Sequence, residues 1–154
     1  METELRIGNF IFGGKNNTPD EDYPLGFWHK VRSIGNEDQE FEQIECETEE
    51  SFEWVFKDNW EGIPLSENWL FALGFEKTED LGDMIYYELK GSGTRRYTIC
   101  NNHDEWQFSL TVRNEYTTLI YDEPFFQCVH HLQNLWYSLT GKELEFNSAV
   151  AFKN

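Results

Sequence analysis

Apolar and polar residues alternate most cleanly over Glu105–Arg113. Trp106, Phe108, Leu110 and Val112 fall on one side, and Glu105, Gln107, Ser109, Thr111 and Arg113 on the other. A period of two marks a strand with one buried face, here the side carrying Trp106 to Val112. Ser51–Lys57 has the same period: Phe52, Trp54 and Phe56 alternate with Ser51, Glu53, Val55 and Lys57. A half-buried strand is expected there too. Shorter apolar stretches at Leu5–Phe12 and Phe27–Ile34 read as strands. They are separated by a loop from Gly13 to Gly26, rich in Gly, Asn, Asp and Pro. Gln39–Glu47 is a strand with Phe41, Ile44 and Cys46 as its apolar points. Ile85–Lys90, the turn Gly91-Ser92-Gly93 and Thr94–Asn101 form a hairpin. Tyr116–Tyr121 follows as a further strand after a turn at Asn114-Glu115.

Two segments switch to helical spacing. Ser66 is a suitable N-cap, Leu65 and Leu70 are placed for a hydrophobic staple, and Gly74 suits a left-handed terminus. A short helix over Ser66–Leu73 is expected. The longer helix runs from Pro124 to Thr140, with Asp122 or Glu123 as cap and Gly141 as terminator. Phe125, Val129, Leu132, Trp136 and Leu139 make its apolar stripe, widened by Cys128 and Leu135. That stripe needs a sheet to cover it, most economically the one built by the preceding strands. The fold class is therefore α+β: an antiparallel sheet packed against one long C-terminal helix and one short helix. The 154 residues fit a single domain spanning 1–154. An alternative division is a small β subdomain over 1–60 and a sheet-plus-helix subdomain over 61–154.

Charge narrows the possible partners. The formal net charge is −17, which repels nucleic-acid phosphates and anionic lipid, so neither direct nucleic-acid binding nor a membrane is expected. Ser33–Phe56 carries Glu37, Asp38, Glu40, Glu42, Glu45, Glu47, Glu49, Glu50 and Glu53 without a Lys or Arg, so this window supplies nine of those negative charges. Such a run either keeps a face solvated and protects a sheet edge, or docks a basic partner. Alternate carboxylates on one strand recur every ~6.7 Å, about half the charge density of one DNA strand, so mimicry of DNA needs two acidic strands side by side. Cys46, Cys100 and Cys128 are odd in number and widely spaced, which fits free buried thiols rather than disulfides or structural zinc. The acidic start Met1-Glu2-Thr3-Glu4 is not a secretory leader, and a cytoplasmic location is expected.

Candidate chemistry is sparse. Nucleophile-elbow, phosphate-loop and dinucleotide-binding patterns are missing, so no catalytic residue and no cofactor is assigned. His130 and His131 are adjacent, and on a helix they point about 100° apart, so they are expected to be unable to share a metal. A thiol–imidazole pair of Cys128 and His130 is disfavoured because residues two apart on a helix diverge, and a metal site assembled in three dimensions from His103, Asp104 and others is a lesser alternative to ordinary surface histidines. Metal ligands are therefore assigned to none of these. Arg95, Arg96 and Arg113, beside Gly91-Ser92-Gly93-Thr94, are the candidate ligand-binding residues if an aromatic pocket takes a small molecule or nucleotide.

Two stretches resemble a family of small proteins encoded in Bacteroidetes genomes, prophages and phages. They are Ile63-Pro64-Leu65-Ser66-Glu67-Asn68-Trp69-Leu70 with Gly74-Phe75, and Val129–Leu144 with its Leu132-Gln133-Asn134-Leu135 and Leu139-Thr140-Gly141-Lys142-Glu143-Leu144. The opening Leu5-Arg6-Ile7-Gly8-Asn9-Phe10 is also similar to that family's start. The family has no established activity, so the resemblance carries over no catalytic residues. It implies a small SH3-like barrel at the N-terminus and favours host interaction or counter-defence. The leading expectation is a non-enzymatic inhibitor that docks its acidic face on a basic host protein such as a defence nuclease. A ligand-sequestering protein and a hydrolase with a site formed only in three dimensions are the alternatives. Oligomeric state is open.

Overall fold

The structure is a computed structural model describing residues 5–13, 19–34, 43–56, 59–90, 95–112 and 126–149. Among the described residues, two antiparallel sheets and two helices make an α+β fold. The chain divides into two compact units: Met1–Pro64 with Cys128–Leu144, and Leu65–Gln127 with Glu145–Asn154.

The first unit holds β1 (Phe10–Phe12), β2 (Trp28–Ile34), β3 (Gln43–Glu47), β4 (Phe52–Phe56), β5 (Glu61–Gly62) and helix α2 (Val129–Thr140). Its sheet order is β4-β3-β2-β1-β5. Among the described residues β4 and β5 stand at opposite ends of an open sheet, so the small barrel implied by the resemblance is not formed. In register, Val31 lies opposite Cys46 and Ile44 opposite Val55. These four and Ile11 are almost fully buried, with Leu5 and Trp60 packed at the margin. Each such aliphatic side chain contributes about 1.5–3 kcal/mol by leaving water.

β4 turns its smaller side inward. Val55 is buried, while Phe52, Trp54 and Phe56 are exposed. Period two was correct, but it assigns two faces without saying which is inside. The small side chain of Val55 is the one that fits opposite Ile44.

Helix α2 begins later than its start signals indicate. Pro124 lies outside the described residues, and Phe126 to Cys128 precede the helix. Cys128 is extended (φ −120, ψ 157), forms a bridge with Pro64, and occupies the N-cap position. The Val129 N–H donates to the Ile63 carbonyl at 2.8 Å. Pairing with Ile63-Pro64 thus holds the chain extended until Val129. Gly141, at φ +70, ends the helix and donates to the Tyr137 carbonyl.

α2 packs on β1, in its own unit. A polar clasp holds it there. The Gln133 amide accepts from the Phe10 N–H at 2.8 Å and donates to the Gly8 carbonyl at 2.9 Å. Asn134 Oδ1 accepts from Arg6 Nε and Asn9 Nδ2, and Arg6 also pairs with Glu143 and lies over the Tyr137 ring. The opening residues and the helix motif singled out in the sequence therefore share one hydrogen-bond network.

The second unit holds α1 (Glu67–Ala72), β6 (Glu76–Asp80), β7 (Met84–Lys90), β8 (Arg95–Asn102) and β9 (Glu105–Val112), with strand order β6-β7-β8-β9. Ser66 caps α1 by accepting from the Trp69 N–H, as its position indicated. At the other end Gly74 (φ +93) and Phe75 donate to the Phe71 and Leu70 carbonyls, a Schellman closure that requires the left-handed residue. Trp106 and Phe108 of β9 point into the core with Tyr87, Tyr97 and Ile99. The hairpin between β8 and β9 turns at His103 and Asp104, both at positive φ (51 and 66), as a two-residue type I′ turn demands. β6 has no counterpart among the expected strands. All five of its residues are exposed, so it carries no apolar alternation. The expected strand Tyr116–Tyr121, the Gly91-Ser92-Gly93 turn and Phe41 lie outside the described residues. No helix among the described residues is long and apolar enough to cross a membrane.

Candidate functional site

The outer face of β3 and β4 is the most distinctive surface in the first unit. Cross-strand partners share a face. Glu47 pairs with Phe52, Glu45 with Trp54 and Gln43 with Phe56, so two carboxylates alternate with three aromatic rings across the ladder. Phe52 is 60%, Trp54 61% and Phe56 48% exposed, which is unusual for three large rings in one row. β4 is the end strand of its sheet.

The acidic residues are not gathered on that face. Of the nine in the sequence run, Glu37, Asp38, Glu40 and Glu42 lie outside the described residues. Glu45 and Glu47 share the aromatic face. Glu49 and Glu50 form the tip of the β3–β4 hairpin, closed by the Thr48 N–H donating to Ser51 O at 2.8 Å. Glu53 points the other way and meets the buried His29 ring at 2.8 Å. The chain's own cations also reach the face. Lys30 lies opposite Glu47, and the Arg32 guanidinium sits 4.5 Å from the centre of the Phe52 ring. A β-bulge between Val31 and Ser33 inserts Arg32 there. The surface is thus aromatic and mixed in charge, where the sequence indicated a purely acidic one. The aromatic residues were missed because alternation alone does not say which face of a strand is exposed.

The candidate ligand-binding arginines are not brought together by the described residues. Arg96 is exposed on β8, 3.9 Å from Glu88, the Arg95 side chain is not described, and Arg113 lies outside the described residues. His103 and Asp104 serve a turn, and the His103 ring is 4.0 Å from Asp83.

A second cluster contradicts the helical geometry expected for Cys128, His130 and His131. One ligand atom from each lies within 4.8 Å of the others. The two imidazole rings are 4.3 Å apart, centre to centre, at 56°. Because Cys128 is the N-cap and not a helical residue, its side chain turns back over the first turn. His130 is 3% exposed, and neither of its ring nitrogens has a hydrogen-bond partner among the described residues. Burial and the neighbouring His131 pull its pKa down to about 4. Burial also lowers His131 and raises Cys128, so the cluster rests neutral, with a thiol poorly suited to nucleophilic attack. The His131 Nδ1 accepts the Cys128 N–H at 3.2 Å. Trp60 meets His130 edge to face at 5.5 Å. Gly62 adjoins the pair so closely that a Cβ there would come within 2.7 Å of Cys128 Sγ and 3.0 Å of His130 Cε1.

In comparisons with known proteins, no family model, no curated protein and no solved structure matches the chain.

Proposed function

We propose that this protein is a non-enzymatic binding protein that docks on a basic protein through the aromatic and acidic outer face of β3 and β4. The observation that carries the reading is the exposed row of Phe52, Trp54 and Phe56 paired with Glu47, Glu45 and Gln43. Exposed rings supply the apolar centre typical of interface hot spots, and they attract Lys and Arg through their faces. The Arg32 guanidinium over Phe52 is an internal example of that contact. Carboxylates beside the rings, and the net charge of −17, select a cationic partner and speed its approach. Inhibition of a nuclease, whose phosphate-binding surface is basic, is the activity that fits this chemistry. The phage and counter-defence setting follows from the sequence resemblance.

The test is affinity capture from the cell that makes the protein, followed by titration with the purified captured partner. A basic partner is expected, with binding that weakens as salt rises and that falls at least tenfold in Trp54→Ala. Binding that is insensitive to salt and unchanged in Trp54→Ala would remove this face as the docking site.

A further inference from the structure

We propose that Cys128, His130 and His131 form a binding site for Zn2+, built at the first turn of α2 and independent of the docking face. Three observations converge on it. One potential donor atom from each residue lies within 4.8 Å of the other two, before any ion draws them in. A tetrahedral zinc ion with Zn–N of about 2.0 Å and Zn–S of about 2.3 Å needs donors roughly 3.3–3.6 Å apart, so a movement of about 1 Å completes the set. Cys128 is an extended residue ahead of the helix, where such an adjustment does not distort helical geometry.

The second observation is His130. A neutral imidazole has one N–H to donate and one lone pair to offer, and a buried one normally satisfies both. Among the described residues His130 satisfies neither, although it is 3% exposed. A bound metal uses the lone pair directly, which gives this buried ring a reason to be polar. The third is the space around it. β5 places Gly62 where a Cβ would collide with both Cys128 Sγ and His130, while the Trp60 ring walls the site with apolar surface. Cys128 and His131 are only half-buried, so an ion has access.

One sulfur and two imidazole nitrogens suit a borderline-soft ion such as Zn2+ better than Mg2+ or Ca2+, which take oxygen. On binding, the Cys128 thiol releases one proton to solvent and the thiolate takes the metal. If His131 ligates through Nδ1, the metal replaces the Cys128 N–H as its partner. Three protein ligands leave a fourth position for water or an external donor.

Cobalt(II) is the probe, titrated into the full chain purified reduced and metal-free. The expected result is one equivalent bound with tetrahedral visible bands and a near-ultraviolet sulfur-to-cobalt charge-transfer band, all displaced by Zn2+. Cys128→Ser should abolish the charge-transfer band, and Cys128→Ser and His131→Gln should each weaken binding more than tenfold, with unchanged circular dichroism. A weak octahedral spectrum without charge transfer on the folded wild-type chain marks binding to surface carboxylates and overturns the site. Retention of the charge-transfer band in Cys128→Ser overturns it as well.

Discussion

Trp54 and Val55 are neighbours on β4 and face opposite ways: Trp54 is 61% exposed, and Val55 only 4%. The larger ring is therefore the less important of the two for folding. Val55→Ala should cost about 1–3 kcal/mol through the cavity it leaves against Ile44, while Trp54→Ala should change stability by less than about 0.5 kcal/mol. Urea unfolding of both variants checks this. A larger loss in Trp54→Ala would mean that the strand's faces are exchanged.

Gln133 is the clasp between α2 and the β1 region, and its amide uses both its donor and its acceptor. Gln133→Ala should destabilise by about 1–3 kcal/mol, since it removes two hydrogen bonds of a buried side chain, one accepted from the Phe10 N–H and one donated to the Gly8 carbonyl. Gln133→Glu keeps the acceptor for Phe10 but sets a carboxylate against the Gly8 carbonyl, so it should not rescue stability at neutral pH. Chemical denaturation of the pair distinguishes a specific clasp from simple loss of volume.

The Cys46 thiol, fully buried, is raised from its ordinary 9.0 to about 11, first by burial and then by Glu53 and Glu45. The folded state holds this proton more tightly than the unfolded chain does. The contribution is complete below pH 9 and disappears as pH rises through 11, with a size on the order of 3 kcal/mol. Stability measured from pH 8 to 11 should fall less steeply in Cys46→Ala than in the wild type. An equal slope in both would contradict the assignment. In the native state Cys46 should also resist thiol reagents that label it in the unfolded chain.

Gly74 and Gly141 close the two helices at φ +93 and +70. Alanine at either should cost about 1–2 kcal/mol from backbone conformation alone. Gly74→Ala should be the worse of the two, because its Cβ would lie 3.2 Å from Leu89, whereas the space around Gly141 is open. Thermal unfolding of the two single variants gives the order directly.

Local signals with a single physical meaning were legible in the sequence. Ser66 and Gly74 bounded α1 because a cap and a left-handed glycine each do one thing, and the two-faced pattern of β9 put Trp106 and Phe108 inside. Signals with two meanings were not. Alternation in β4 could not say whether Val55 or the rings went inward, since that depends on which strand lies opposite. β6 has no buried residue, so nothing in its composition distinguished it from a loop. Asp122, Glu123 and Pro124 resemble a helix start, yet the Pro64–Cys128 bridge delays the helix to Val129. That delay of a few residues hid the Cys128, His130 and His131 cluster. The divergence of Cys128 from His130 holds only if Cys128 is helical, and a long-range pairing decided that it is not; His130 and His131 are both helical, yet their rings lie 4.3 Å apart.

The Gln133 clasp also bears on how the polypeptide is made. Gly8 and Phe10 leave the ribosome early, but the side chain that completes their hydrogen bonds is translated more than a hundred positions later. Trp69 similarly waits for Phe146, and the Ala72 carbonyl for the Asn147 N–H. Neither compact unit can finish before these later residues have been made, so neither closes from its N-terminal part alone.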